Sequence, residues 1–307
     1  MKPYRLILPR LTSHYIRPFL SRSRFYTQMA SETQPALSAA APQLSAIPNG
    51  KKELKILMLH GYTQSGPLFS SKTKALSKLL TKALSAPPLN LHPTLIYPSA
   101  PHRLRPSDIP GYQPPEDPAL AIDEDDLDNW AWYRKDEATG SYVGLSEGMT
   151  VIANTIRSSG GIDGVMGFSQ GGCMAALVAA ALELPHHQPP ANANANANVS
   201  WLEDIRAANS DRPLQFSVIY SGFHAPPSDL QWLYDPVITT PTLHFLGGLD
   251  TVVEESRSHA LVERCRDPVV LTHPGGHYVP VARDWVMPLV GWLKQRCEAA
   301  DEVKVSL

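Results

Sequence analysis

The chain has 307 residues, 43% of them hydrophobic, and a formal net charge of −2 at pH 7. That is enough apolar material for one large core, and the near-neutral balance argues against a nucleic-acid-binding surface. No apolar run reaches the roughly 18 residues a transmembrane helix needs, and the three cysteines, Cys173, Cys265 and Cys297, lack disulfide or metal-site spacing, which fits a reducing compartment.

Residues 1–50 read as a leader. Lys2, Arg5, Arg10, Arg17, Arg22 and Arg24 precede the first acidic residue, Glu32, with serines and aromatics between them. That is the composition of a mitochondrial transit peptide. Met29-Ala30-Ser31-Glu32 would also make an ordinary cytosolic start, which gives a cytoplasmic alternative. Residues 30–50, rich in Ala, Ser and Pro, are expected to be unstructured.

The stretch 51–298 reads as one α/β domain. Apolar runs at 54–59, 94–97, 163–168, 215–220, 242–246 and 268–272 alternate with helical patterns. Continuous apolar strands flanked by helices predict a mostly parallel sheet of about six strands, covered on both faces. Leu145, Met149, Ile152 and Ile156 recur at helical spacing. A last helix is expected over 281–298, kinked or interrupted at Pro288, with a tail at 299–307. Two inserts break the rhythm. Residues 101–141 combine prolines, an acidic run at Asp123-Glu124-Asp125-Asp126 and the rings of Trp130, Trp132 and Tyr133. A connection that long suggests a lid or binding loop. Residues 186–198 hold Ala-Asn repeats and read as a low-complexity insert.

The chemistry is concentrated at Gly167-Phe168-Ser169-Gln170-Gly171. This is the Gly-x-Ser-x-Gly nucleophile elbow, with an apolar strand leading in at 165–168 and a small-residue helix leading out at 171–184. A serine on such a turn projects its hydroxyl clear of the sheet, and the flanking glycines avoid a clash with backbone. Serine needs a base, normally histidine, and an acid to orient it. In this fold the chain order is Ser, acid, His. Asp250 follows the strand at 242–246 and stands where a parallel sheet carries its ligand crevice. Asp235 and Asp267 are alternatives that follow no buried strand, and an N-cap role is the other reading of Asp250. His277 ends Pro274-Gly275-Gly276-His277, whose glycines let the chain turn back over the sheet edge. His273 competes from the strand end. The oxyanion needs two backbone donors, assigned to Gln170 and to Tyr62 in the loop His60-Gly61-Tyr62-Thr63.

Trp130, Trp132 and Tyr133 form either a satellite core or an acyl pocket. With His60 and Phe223 they make up the expected pocket, whose aromatic character would favour an uncharged acyl chain.

These residues resemble the fungal FSH-type serine hydrolases, the family that includes the human ovarian-cancer-associated hydrolase. The resemblance covers roughly residues 55–293. It rests on Leu59-His60-Gly61-Tyr62, on Gly164-Val165-Met166-Gly167-Phe168-Ser169-Gln170-Gly171-Gly172, on Tyr220-Ser221-Gly222-Phe223, on Asp250-Thr251-Val252-Val253, and on His273-Pro274-Gly275-Gly276-His277. It implies a compact α/β-hydrolase fold, a Ser169, Asp250, His277 triad, and hydrolysis of small carboxylic esters or thioesters without a cofactor. Some relatives release acyl chains from polyketide synthases. Gly247-Gly248-Leu249 departs from the polar residue that relatives tend to carry, and the leader and Ala-Asn insert are not family features. The elbow run also resembles acyl-protein thioesterases, whose oxyanion loop differs. A non-catalytic acyl-binding protein and a peptidase are the rival classes: the first usually lacks a triad member, and nothing here suggests the peptide-binding edge of the second.

Overall fold

The computed structural model describes residues 50–109, 112–113, 127–189 and 200–305. Nearly all of the leader, the acidic run at 123–126 and the Ala-Asn repeats lie outside them. Six strands form one sheet: β1 (Lys52–Leu59), β2 (Leu91–Ile96), β3 (Gly164–Phe168), β4 (Phe216–Tyr220), β5 (Thr242–Gly247) and β6 (Val269–His273). Their order is β2-β1-β3-β4-β5-β6, and every neighbouring pair is parallel. The helices between them are α1 (Gly66–Lys72), α2 (Lys74–Leu84), α3 (Leu145–Ser158), α4 (Gln170–Ala181), α5 (Ser200–Ala208), α6 (Glu255–Val262) and α7 (Arg283–Val305).

The two-sided burial of the sheet follows from the sequence of each strand. In β1, Leu54, Ile56 and Met58 face one core with Leu76, Leu80 and Leu84 of α2 and Leu289 and Leu293 of α7. Leu57 and Leu59 face the other, with Met149, Ile152 and Ile156 of α3 and residues 173–181 of α4. Each such side chain contributes about 1.5–3 kcal/mol by leaving water. Helix α4 is buried on every side, as its unbroken run of small and apolar residues requires. Pro288 does not interrupt α7. It falls early in the helix and removes only the bond its own N–H would make, and the helix continues through the expected tail to Val305. Among the described residues no helix is long and apolar enough to cross a membrane.

The strand order decides where a site can form. The chain leaves β1 for β2 on one side and returns to β3 on the other. The crevice beyond the carboxyl ends of β1 and β3 is therefore the switch point at which parallel sheets bind ligands. The loop after β1 and the turn after β3 meet there.

Candidate active site

β3 ends at Phe168 and α4 begins at Gln170, so Ser169 makes the turn alone, at φ 54° and ψ −117°. Such a backbone costs a non-glycine residue on the order of 1–3 kcal/mol. Backbone bonds hold it: the Ser169 N–H donates to the Tyr220 carbonyl of β4 at 2.8 Å, and its carbonyl accepts from Gly172 and Cys173 at 2.9 and 3.1 Å. A Cβ on Gly167 would stand 2.0 Å from the Gly171 oxygen, and one on Gly171 would stand 2.1 Å from the Leu59 oxygen. Both glycines of the elbow are thus required by close approach of backbone to backbone. The serine side chain does not cap α4, and it lines a cleft.

Asp250 and His277 lie on adjacent loops that are zipped together by backbone. The Gly248 N–H donates to the His273 carbonyl at 2.8 Å and the Leu249 N–H to the Gly275 carbonyl at 3.0 Å. A Cβ on Gly247 would meet the Gly276 oxygen at 2.4 Å, which gives a physical reason for the glycine-rich departure before Asp250. His277 Nδ1 donates to Asp250 Oδ2 at 2.7 Å. The other oxygen, Oδ1, accepts from the Val252 and Val253 N–H groups, both at 2.9 Å. Burial by itself would raise the Asp250 carboxyl. The bonds from Val253, His277 and Val252 outweigh it and hold the group below the usual carboxylate range. The imidazole lies against Phe168, ring centres 4.8 Å apart, and so stands beside the elbow. The competitor His273 is buried between Trp285 and Tyr278, and its Nδ1 accepts from the Gly275 N–H at 3.2 Å.

The loop after β1 comes close to the elbow because it carries Gly61, where a Cβ would stand 2.9 Å from Phe168 Cδ1 and 3.3 Å from Ser169 Cβ. The neighbouring amides are engaged: Gly61 with Gln64 Oε1, Thr63 with the Trp130 carbonyl, Gln64 with the Gly61 carbonyl. Among the described residues the Tyr62 N–H has no acceptor. The Gln170 N–H opens α4 and has none within the helix.

The expected pocket residues divide. Tyr133 and Phe223 line a cleft of about 750 Å³ together with Ser169, Tyr62 and Gln170. His60 and Trp132 do not line it; both are 0% exposed. The Trp132 indole donates to the His60 carbonyl at 2.9 Å. His60 Nε2 accepts from the Ala100 N–H at 3.0 Å, so Nδ1 carries the proton and donates to the Gly61 carbonyl at 2.8 Å. Burial lowers the His60 pKa to about 4, against the opposing pull of the Gly61 carbonyl and Asp128. His60 is therefore a neutral strut. Trp130 is half-buried and outside the cleft wall, with its indole on Asp128 Oδ1 at 2.7 Å. The expected aromatic lining is also only part of the wall. It carries an Asp108–Arg134 ion pair at 3.4 Å, a Lys135–Glu137 pair at 2.9 Å, and Arg257, whose guanidinium lies 4.3 Å over the Phe223 ring.

Sequence reasoning missed two further contributions. The Gln170 side chain accepts from the Trp132 N–H and donates to the Tyr133 carbonyl, both at 2.8 Å, pinning the 130–133 strap over the elbow. Arg257 reaches the cleft from the first turn of α6. No sequence signal marks either one, because each depends on which segments the fold brings together.

The serine hydrolase (FSH1) family model matches residues 50–289. This chain belongs to that family. It is 31% identical over 243 residues to "Family of serine hydrolases 2" of Saccharomyces cerevisiae, covering 78% of this chain and 97% of the relative. Over 254 residues it is 29% identical to the esterase OVCA2 of Danio rerio, covering 78% and 93%. A third relative, the Schizosaccharomyces pombe dihydrofolate reductase, is 33% identical over 230 residues; the match takes in 75% of this chain but only 44% of the relative's length.

Proposed function

We propose that this member of the family hydrolyses carboxylic esters or thioesters through an acyl-enzyme, with Ser169 as nucleophile, His277 as general base and acid, and Asp250 as the orienting carboxylate. The observation that carries the reading is the 2.7 Å bond from His277 Nδ1 to Asp250 Oδ2, beside a serine held on the strand-to-helix turn. An ionised Asp250 keeps the histidine proton on Nδ1 and leaves the Nε2 lone pair for chemistry. Nε2 takes the Ser169 proton as Oγ attacks the acyl carbon. The carbonyl pair moves to oxygen, where the Tyr62 and Gln170 amides receive it. Each such donor is worth on the order of 100- to 1,000-fold in turnover. The tetrahedral intermediate collapses as the imidazolium protonates the departing alcohol or thiol. Water, deprotonated by the same nitrogen, then attacks the acyl-enzyme and frees the acid and Ser169. The names of the relatives, two of them serine hydrolases or esterases, support the same reading.

Labelling with a fluorophosphonate probe tests it. The protein should take up one probe at Ser169, and Ser169→Ala should lose both labelling and p-nitrophenyl ester turnover. Labelling of the alanine variant at another serine would refute the assignment.

A further inference from the structure

Two cavities flank the elbow, and they are chemically different. The larger, about 750 Å³, is lined by Ser169, Tyr62 and Gln170. The smaller, about 300 Å³, is lined by His277, with Phe168 and Gln64. On the reading above, the leaving group must depart on the side of the histidine that protonates it. The acyl chain then extends from the carbonyl into the larger cleft.

Among the described residues that line the cleft, the charges do not cancel. Arg134 is paired with Asp108, which Arg105 also approaches at 3.8 Å, and Lys135 is paired with Glu137. Arg257 has no acidic partner among the described residues. The acids next to it on its own helix do not neutralise it: Glu255 faces His259 at 3.3 Å, and Glu254 is an exposed N-cap. The guanidinium carbon lies 4.3 Å over the centre of the Phe223 ring, and Arg257 lines the cleft together with Phe223 and Tyr142. A cation in the first turn of a helix opposes the helix dipole, so its place there does nothing for α6 itself. A planar guanidinium stacked on an aromatic ring keeps its edge open for a carboxylate.

We infer that Arg257 is a specificity-determining residue that receives an anion on the acyl part of the substrate, making mono-esters or mono-thioesters of dicarboxylic acids the preferred class. This rests on the hydrolase reading and adds to it the chemistry of the acyl chain.

The test compares p-nitrophenyl half-esters of dicarboxylic acids of increasing length with neutral p-nitrophenyl esters of matched length. Measurement of kcat/KM for wild type, Arg257→Met and Arg257→Lys gives a selectivity ratio, charged over neutral. The ratio should exceed one in wild type at some length. It should fall by about ten- to a hundred-fold in Arg257→Met, the range of one charge-assisted hydrogen bond. In Arg257→Lys it should be intermediate, and in wild type it should shrink with added salt. An unchanged far-ultraviolet circular dichroism spectrum and a single urea transition certify that each variant is folded; the salt series on wild type stands without any variant. A wild type that turns over neutral esters and discriminates against every half-ester would overturn the inference alone. A ratio unchanged by both substitutions would do the same. A wild type that hydrolyses neither series would overturn the hydrolase reading with it.

Discussion

Gln170 contributes its backbone and its side chain to different tasks. Its N–H is a proposed oxyanion donor, fixed by the start of α4. Its amide group bridges the Trp132 N–H and the Tyr133 carbonyl, so the strap that carries the cleft wall is fastened to the residue after the nucleophile. Alanine would keep the first and remove the second. Both strap groups are buried and would be left without their partner, at about 1–3 kcal/mol each. Gln170→Ala should therefore lower stability by roughly 2–6 kcal/mol in urea unfolding. It should also raise KM more than it slows fluorophosphonate labelling, since the strap shapes the cleft while Ser169 and its histidine stay in place. Equal loss in both readouts would show that the side chain supports the elbow itself. The elbow was legible in the sequence because Gly-x-Ser-x-Gly is a contiguous five-residue pattern, although Tyr220 and Leu59, far away in the chain, help to fix its backbone. The Gln170 bridge was not, because its partners lie nearly 40 positions away and no short-range rule couples them.

Between elements, a charged buried junction lies just past the end of α4. Glu183 accepts from the Thr239 N–H at 2.6 Å and from the Thr240 N–H through one oxygen, and the other pairs with His187 Nε2 at 2.9 Å. His187 Nδ1 reaches the Trp232 carbonyl at 3.3 Å, and Arg206 of α5 holds the carbonyls of Ala181 and His187, each at 3.0 Å. One carboxylate thus ties the exit of α4 to the entry of β5. Burial pushes Glu183 up, but its bonds to His187 and Thr240 prevail and its pKa is lowered. The bond to Glu183 raises His187 despite burial. The Glu183 contribution to stability is present above its ordinary value of 4.5 and is lost as pH falls through the depressed one. The His187 contribution is present below 6.5 and is lost as pH rises through the elevated one. Both act together between those ordinary values. The stability difference between wild type and Glu183→Gln in urea unfolding should therefore be largest between about pH 4.5 and 6.5, at about 1–3 kcal/mol, and shrink on either side. The difference, and not the wild-type profile itself, isolates the junction, because buried His60 and His244, both lowered to about 4, add their own pH dependence. A difference that does not change with pH would remove the junction from the pH response.

At the level of the whole molecule, the sheet was readable from six apolar runs, because parallel strands covered on both faces need continuous hydrophobicity. Strand ends moved by one to three residues, as β6 and β2 show, since hydrogen-bond register and not hydropathy ends a strand. The aromatic strap could not be placed by pattern: Trp132 went inside and Trp130 to the margin, according to which indole found a carbonyl or a carboxylate. What pattern does predict is one cooperative body, and the cysteines can report on it. Cys173 and Cys265 are buried in the core beneath α3 and α4, while Cys297 is buried in the opposite core beneath α2 and α7. The sheet separates these cores, and β1 and β3 send side chains into both. Neither core can then open without exposing the other. A thiol reagent should label none of the three cysteines in the native protein, and all three within a single urea transition that coincides with the loss of far-ultraviolet circular dichroism. Labelling of Cys297 ahead of Cys173 would mean that α7 leaves the sheet first, and that the two faces are held by separate contacts rather than through the strands they share.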